Sequence, residues 1–389
     1  MGLTSHSGQG TLGLFKPPIH MTERMRNILH VVSTLILTGY MASARAQEAS
    51  IPDPGLDAAI RQALQKPNGP LTEQDLLSLT NLNACCRNIR NVQGLEAARN
   101  LTTLFLDQNQ LGNFSLASPL TNLIVLDLGF NSLTNVSLPN GLTNLNKLIL
   151  EANLLSDLNL PKDLSALKKL DLDNNQLTSF SLSSDLTGLI SLDLGRNQFT
   201  SFTVPGGMTN LMLLTLSFNQ LTNLSLPADL SQLEVLDLGN NQLTDLTLPA
   251  GLTNLMVLIV QANQVTSLAL PEDMQALSQL FADGDPLTSV LLSESLATHL
   301  ADVVAALQNN NISVFEYPPT IQLIAPRLAA AGGFDFALTG PPGRYQVLSS
   351  TNLIVWTDLG VVTNTVGIVR VTDAQASSSR QKFYQARSL

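Results

Sequence analysis

Residues 236–255 read LDLGNNQLTDLTLPAGLTNL. Leucine recurs through this stretch at near-regular spacing, yet Asn241 sits among the leucines where an apolar residue is the simpler choice. The same residue type recurs on both sides. Asn109, Asn131, Asn153, Asn175, Asn197, Asn219, Asn241 and Asn263 share a strict 22-residue period, and the register extended one step each way lands on Arg87 and Asp285. Around each asparagine the pattern is L-x-x-L-x-L-x-x-N-x-L, as in LKKLDLDNNQL (167–177) and LEVLDLGNNQL (233–243), with Val or Phe replacing a leucine in some units. A polar group held at the same turn of every unit must find partners, because unpaired burial costs about 1–3 kcal/mol. Asparagine both donates and accepts, which leucine cannot do. The eight asparagines therefore predict a structural ladder and not a row of ligand contacts.

The second half of each unit places apolar residues at +2, +5 and +7 from the asparagine, usually followed by proline: LTDLTLP (243–249), LTNLSLP (221–227), FTSFTVP (199–205). Alternation at +5 and +7 predicts a short second strand. Its outward +6 positions are Ser115, Ser137, Asn159, Ser181, Thr203, Ser225, Thr247 and Ala269. A fixed period in the 20s with this pattern resembles the leucine-rich repeat family, over about residues 79–292. The resemblance implies a right-handed solenoid, an α/β-type repeat fold that is predominantly β here, with a parallel sheet on its concave face and a thinner strand on its convex face. A weaker 44-residue alternation of Gly and Asp (PNGLTNL, PKDLSAL; PAGLTNL, PEDMQAL) overlays the first period and points to growth by duplication of paired coils.

A single repeat cannot bury its own apolar face, so the array needs caps. The segment at 47–86 reads as an N-terminal helical cap that resembles the cap of bacterial internalin-like proteins. IPDPGLDAAIRQALQ carries a helical apolar pattern after Pro54, and Thr72 with Asp75 has capping-box spacing. Residues 87–293 are the repeats. Residues 294–317 read as a C-terminal cap: one amphipathic helix (ESLATHLADVVAALQ), a stop at NNN, and a strand at ISVFEY. After Pro318-Pro319 the register is lost. Six short β-rich runs separated by Gly, Pro and Asn turns predict a small all-β sandwich at 318–389. It resembles an immunoglobulin- or fibronectin-like module attached to many exported bacterial proteins.

Residues 1–46 read as an export signal. Arg24 and Arg26 precede the apolar run 28–41, and Ala44-Arg45-Ala46 fits a small-x-small cleavage site. Residues 1–20 suggest an over-long translation start. The apolar run is short for a span of about 20 residues, so no transmembrane anchor is expected. Removing 1–46 takes four of the 20 basic residues and one of the 30 acidic ones, leaving a net charge of −13. This acidity argues against nucleic acid as partner, since phosphate contacts need clustered Lys and Arg.

The same removal takes three of the four histidines and leaves His299. Ser–His or Cys–His catalysis needs a histidine beside its nucleophile, and zinc needs several His or Cys ligands. His299, on a predicted cap helix, reads as a solvated residue. Acidic residues recur as columns across coils, the expected result of duplication, and no coil departs sharply enough to suggest a catalytic carboxylate pair. No cofactor, metal or enzymatic activity is expected. The adjacent Cys85 and Cys86 leave open two free thiols, a strained vicinal disulfide or an intermolecular link.

Function then falls to the outward positions of the concave strands. The fourth, second and first residues before each asparagine form an acidic face with apolar points. Its candidate ligand-binding residues are Phe105, Asp127, Phe130, Ile149, Asp171, Asp173, Asp193, Arg196, Thr215, Phe218, Asp237, Asn240 and Ile259. Phe130 and Phe218 are the candidate anchors, and the acids would steer a basic partner. The leading expectation is an exported, non-catalytic recognition protein, secreted or at the cell surface, that binds a protein or glycan on this face. The alternative is a cell-surface or envelope spacer attached through the C-terminal module. Nothing in the repeat pattern selects an oligomeric state.

Overall fold

The computed structural model describes residues 48–116, 120–329 and 332–389. The expected export signal at 1–46 lies outside them. All that follows concerns the unit Ala49–Leu389.

The 22-residue period becomes a parallel-strand solenoid. Each coil gives one three-residue strand to a ten-stranded parallel sheet, from Asn81–Asn83 through Lys169–Asp171 to Gln279–Phe281, in chain order. Neighbouring strands pair one full period apart throughout, as in Leu170↔Leu192 and Leu214↔Leu236. The sheet thus starts inside the segment read as N-terminal cap. The central residue of each strand and the one two places later, mostly leucines, are buried from Leu82 and Ala84 to Leu258 and Val260, forming one continuous apolar column per position, and at the last rung Leu280 and Ala282 are partly buried. The thinner strand of the second half-coil forms in some coils only, pairing 113–115 with 135–137, 201–203 with 223–225, and 267–269 with 289–291. Its outward positions, from Ser115 to Ala269, are exposed in every coil, as their polarity predicts.

The asparagines close each coil onto its neighbours. Asn241 Nδ2 donates to the carbonyls of Leu238 (2.9 Å), Gly239 (3.3 Å) and, one coil back, Leu216 (3.0 Å), while its Oδ1 accepts from the Leu221 amide (3.0 Å). The same bonds recur at Asn131, Asn153, Asn175, Asn197, Asn219 and Asn263. At the N-terminal end Asn109 reaches the carbonyls of Ala84 and Leu106, and its Oδ1 accepts from both Arg87 and Ile89 amides. The Arg87 side chain leaves the ladder altogether and reaches Gln62 on the cap helix.

The 44-residue alternation has a physical cause. The amides of Gly141, Gly207 and Gly251 donate to Asp163, Asp229 and Asp273, each one period on, at 2.5, 2.7 and 2.6 Å. Gly251 has φ +101°, and a Cβ there would lie 2.1 Å from the Ala228 carbonyl oxygen, so no side chain fits. A Gly coil is therefore matched to an Asp coil. Where the order breaks, at SSDLTGL, Asp185 bonds within its own loop to Ser183.

At the N-terminal end, the helix Pro54–Leu64 is capped by Asp53, and Glu73–Leu77 carries the capping box between Thr72 and Asp75. At the other end the single expected helix is two, Glu294–His299 and Ala301–Asn309. The break falls at Leu300, whose ψ of 30° is non-helical and whose side chain is buried, so packing overrides the helical pattern. Residues 322–388 form two three-stranded antiparallel sheets, an all-β module with its own core of Phe336, Leu338, Tyr345, Val347 and Val371. One strand differs from expectation. Of the six β-rich runs, LIVWTDLG (353–360) reads as a strand but pairs only from Thr357, because Asn352 Oδ1 accepts from the amides of Ile354 and Val355 and leaves Leu353, Ile354 and Val355 exposed in a turn.

The last rung is the exception in the ladder. Asp285 Oδ1 accepts from the amides of Asn263 (3.0 Å) and Val265 (3.2 Å), but Oδ2 is buried without a partner where every asparagine donates. Burial pushes its carboxyl above the usual range. The fold therefore favours protonated Asp285, and this favourable contribution is lost as pH rises through its raised pKa. Asp285→Asn restores a donor and is expected to raise stability by about 1 kcal/mol at neutral pH, with the gain shrinking as pH falls through the raised carboxyl pKa toward the ordinary value of about 3.9. Asn241→Ala, which strips three donor bonds and one acceptor from a buried turn, should cost on the order of 2–3 kcal/mol. Denaturant midpoints of the three proteins across pH check both.

Candidate ligand-binding face

Every fold-determining column described so far points inward, and the outward face of the ten-stranded sheet is what remains. Alternation along each strand turns the residues six, four and two places before the asparagine outward. Of the predicted residues, Phe105, Asp127, Ile149, Asp173, Asp193, Thr215, Asp237, Asn240 and Ile259 are half-buried on this face, and Phe130, Arg196 and Phe218 are exposed. Asp171 is the outlier, only 6% exposed, with Lys169 Nζ 3.1 Å from its Oδ2.

The aspartates four places before the asparagine also serve their own backbone. Asp127, Asp193 and Asp237 each accept from the amide two residues on, that of Gly129, Gly195 or Gly239, at 3.0 Å. A Cβ at Gly195 would lie 2.7 Å from Asp173 Oδ1, so the glycine keeps room for the acid of the preceding coil. One oxygen of each is thus structural and the other faces out. Asp171 and Asp193 are direct partners across neighbouring strands, with Glu151, Asp173 and Lys169 around them. Burial, then the neighbouring Asp171 and Asp173, raise Asp193 to about 6 against a hydrogen bond from Gly195 that lowers it. Asp127 and Glu151 are pushed up by the same causes.

The residue just before each asparagine is not part of the strand. Gln108, Phe130, Ala152, Asn174, Arg196, Phe218, Asn240 and Ala262 all have φ between 47° and 56°, and Gly284 and Cys86 continue the series. This left-handed turn sends each amide to a carbonyl of the next coil, as Phe218 to Gly239 at 2.9 Å, so the coil-to-coil bonding runs on past the strand. It also swings the side chain out. Phe130 is 53% and Phe218 49% exposed, and the Arg196 guanidinium lies 5.1 Å from the Phe218 ring centre while pairing with Asp173 at 3.1 Å.

A further outward column escaped the sequence reading. Six places before the asparagine stand Val125, Lys147, Lys169, Ser191, Leu213, Val235 and Val257, outward and paired strand to strand. The 22-residue register alone was enough to find it. Exposed Ile124 and Met256 flank it one place earlier. The face therefore carries an acidic centre between aromatic points on one side and an apolar edge on the other, interrupted by two lysines. Among the described residues no three acidic, His or Cys side chains converge to hold a metal ion. His299 is exposed at the end of its helix.

A family model for leucine-rich repeats matches residues 165–206 and 209–250. The fold of the repeats is that of a leucine-rich repeat solenoid. Among solved structures it is similar to an internalin (inlF) from Listeria monocytogenes, with 25% identity and a TM-score of 0.49, over 69% of this chain and 89% of that one. It is also similar to InlP from the same organism, with 22% identity and a TM-score of 0.49, over 74% and 91%. An internalin C2 from that organism aligns at 28% identity and a TM-score of 0.44, over 62% and 93%. No curated protein sequence matches. Among the described residues, no helix is long and apolar enough to cross a membrane.

The raised Asp193 carboxyl gives a signed expectation. A folded-state pKa of about 6, above the ordinary 3.9, favours the fold at low pH, and that contribution is lost between about pH 4 and 6. Asp193→Asn should stabilise the chain at pH 7 and leave it unchanged at pH 4. Thermal unfolding at the two pH values reads the difference, and an equal shift at both would contradict the burial assigned here.

Proposed function

We propose that this chain is an exported, non-catalytic recognition protein that binds a protein, or a glycan, on the outward face of its ten-stranded sheet. The observation that carries the reading is the pair Phe130 and Phe218. Each holds a large apolar ring half in water, at a backbone position where a non-glycine residue costs about 1 kcal/mol or more. Neither ring packs into the solenoid core, and only at Phe218 does a contact within the fold, with the Arg196 guanidinium, partly offset the cost. Exposed aromatics of this kind supply much of the binding energy in recognition surfaces. The acids between them favour a ligand with basic groups, and charge of this sign accelerates its approach. Export rests on the basic and apolar pattern of residues 24–46 and implies a location outside the cytoplasm, free or at the cell surface.

The left-handed backbone makes the test clean, because glycine is the residue best suited to the φ of 52° at Phe130 and 56° at Phe218. Phe130→Gly with Phe218→Gly removes both rings without loss of stability. The chain, immobilised and exposed to a surface extract, should retain a defined set of ligands that this variant and Asp193→Lys/Asp237→Lys both lose. Ser115→Lys with Ser181→Lys, at outward positions of the second half-coil, should leave that set intact. Capture that survives the first two variants and disappears with the third would move the site off this face. With ligand in hand, binding of a basic partner should weaken as pH falls through about 6, where Asp193 loses its charge.

A further inference from the structure

The outward face begins at its first rung with the chain's two cysteines, Cys85 and Cys86. In a regular strand, neighbouring side chains point to opposite faces. Here Cys86 occupies the left-handed position, with φ 61°, and that turn brings its side chain round to the side of Cys85. The Sγ atoms lie 3.3 Å apart, and Cys86 Sγ is also 3.4 Å from Gln108 Oε1 on the next rung. Both amides are fixed, that of Cys85 by Asn83 Oδ1 at 3.1 Å and that of Cys86 by the Asp107 carbonyl at 3.2 Å. The two thiols are thus held together by the same bonding that shapes every other rung.

We propose that Cys85 and Cys86 form a reversible two-electron redox site, which closes to a vicinal disulfide by exchange with a small-molecule disulfide. The exposed Cys86 thiolate attacks one sulfur of the donor disulfide, breaking its S–S bond and releasing the first thiolate. Cys85 then loses its proton, and its sulfur attacks Cys86 Sγ, breaking the mixed disulfide and releasing the second thiolate. Two cysteine thiols are oxidised, the donor is reduced to two thiols, and the two protons pass to the leaving groups. The order follows from exposure: Cys86 is open to solvent, whereas Cys85 is partly covered and its thiol is pushed up by its hydrogen bond with Cys86, by burial and by nearby Asp107. Closure joins Cα atoms about 3.8 Å apart across one peptide bond, shorter than the usual 4.4–6.8 Å of disulfides. Such strain makes a disulfide easily reduced, so the site switches where a structural disulfide stays locked. Closure also withdraws the Cys86 thiol from Gln108, changing what the first rung offers a ligand.

The full chain, equilibrated in glutathione buffers of rising oxidised-to-reduced ratio, acid-quenched and alkylated, is read by peptide mass spectrometry. The expected result is one transition from the doubly alkylated peptide to an unalkylated one lighter by two hydrogens, on a monomeric chain, reversed when the ratio is lowered. Cys85→Ser should instead accumulate a glutathione adduct on Cys86 that the parent chain never builds up, with unchanged circular dichroism. Three results overturn the proposal: glutathione adducts on the parent chain at the levels of the variant, disulfide-linked dimers as the main product, or a pair that stays oxidised in reduced glutathione.

Discussion

The solenoid depends on one side-chain amide per coil. An asparagine Nδ2 holds carbonyls of its own turn and of the coil before, while its Oδ1 takes the amide of the preceding coil's outgoing segment. No other neutral side chain of that length donates and accepts at once through separate atoms of one planar group. The bonds fix where each coil turns, and so fix the 22-residue register of every strand pair in the long sheet. The leucine columns then stack because the register is constant, since a leucine displaced by one place would point to the wrong face. Each coil is stabilised almost wholly by its neighbours, which is why the ends carry different solutions: a capped helix at one, and at the other an aspartate standing in for the ladder residue with one oxygen unpaired.

Much of this was legible because repetition averages over local noise. The period, the ladder, the inward leucines and the outward columns all follow from comparing positions one period apart. What was not legible lies where backbone conformation is set by the stack and not by the residue. Nothing about Phe130, Ala152, Arg196 or Ala262 favours a left-handed turn, yet each adopts one because the bond to the next coil requires it. The same holds for the split at Leu300, where burial of one side chain outweighs the helical pattern on either side of it. It holds again for residues 353–355, where an asparagine side chain takes the amides a strand would need. The Gly–Asp alternation was visible as a period, but its meaning required seeing that one glycine amide faces a carboxylate a full coil away.

The acidic column shows how scaffold and site share residues. Asp127, Asp193 and Asp237 each spend one oxygen on the backbone amide two places on, which fixes the side chain before any ligand arrives. A fixed carboxylate loses little conformational freedom on binding, and in the proposed role that saving would go into affinity. Stacking such groups on one flat sheet also has a cost, because neighbouring like charges and burial raise Asp193 toward neutrality. Lys169 partly offsets this beside Asp171. The face is acidic enough to attract a cation and crowded enough that its charge depends on pH near 6.

The aromatic points follow a different logic from everything around them. Coils differ freely just before the asparagine, where Gln, Phe, Ala, Asn, Arg, Cys and Gly all occur, so the scaffold imposes the backbone there but not the side chain. Asparagine or glycine is the least strained residue at a position of that kind. Phenylalanine is the poorest choice for both conformation and solvation, and it stands there twice, four coils apart, with Arg196 drawn over the second ring. Two conformationally costly, solvent-facing rings along one edge of an acidic centre do not follow from the demands of the fold. They are what the proposed ligand-binding role of this face would require.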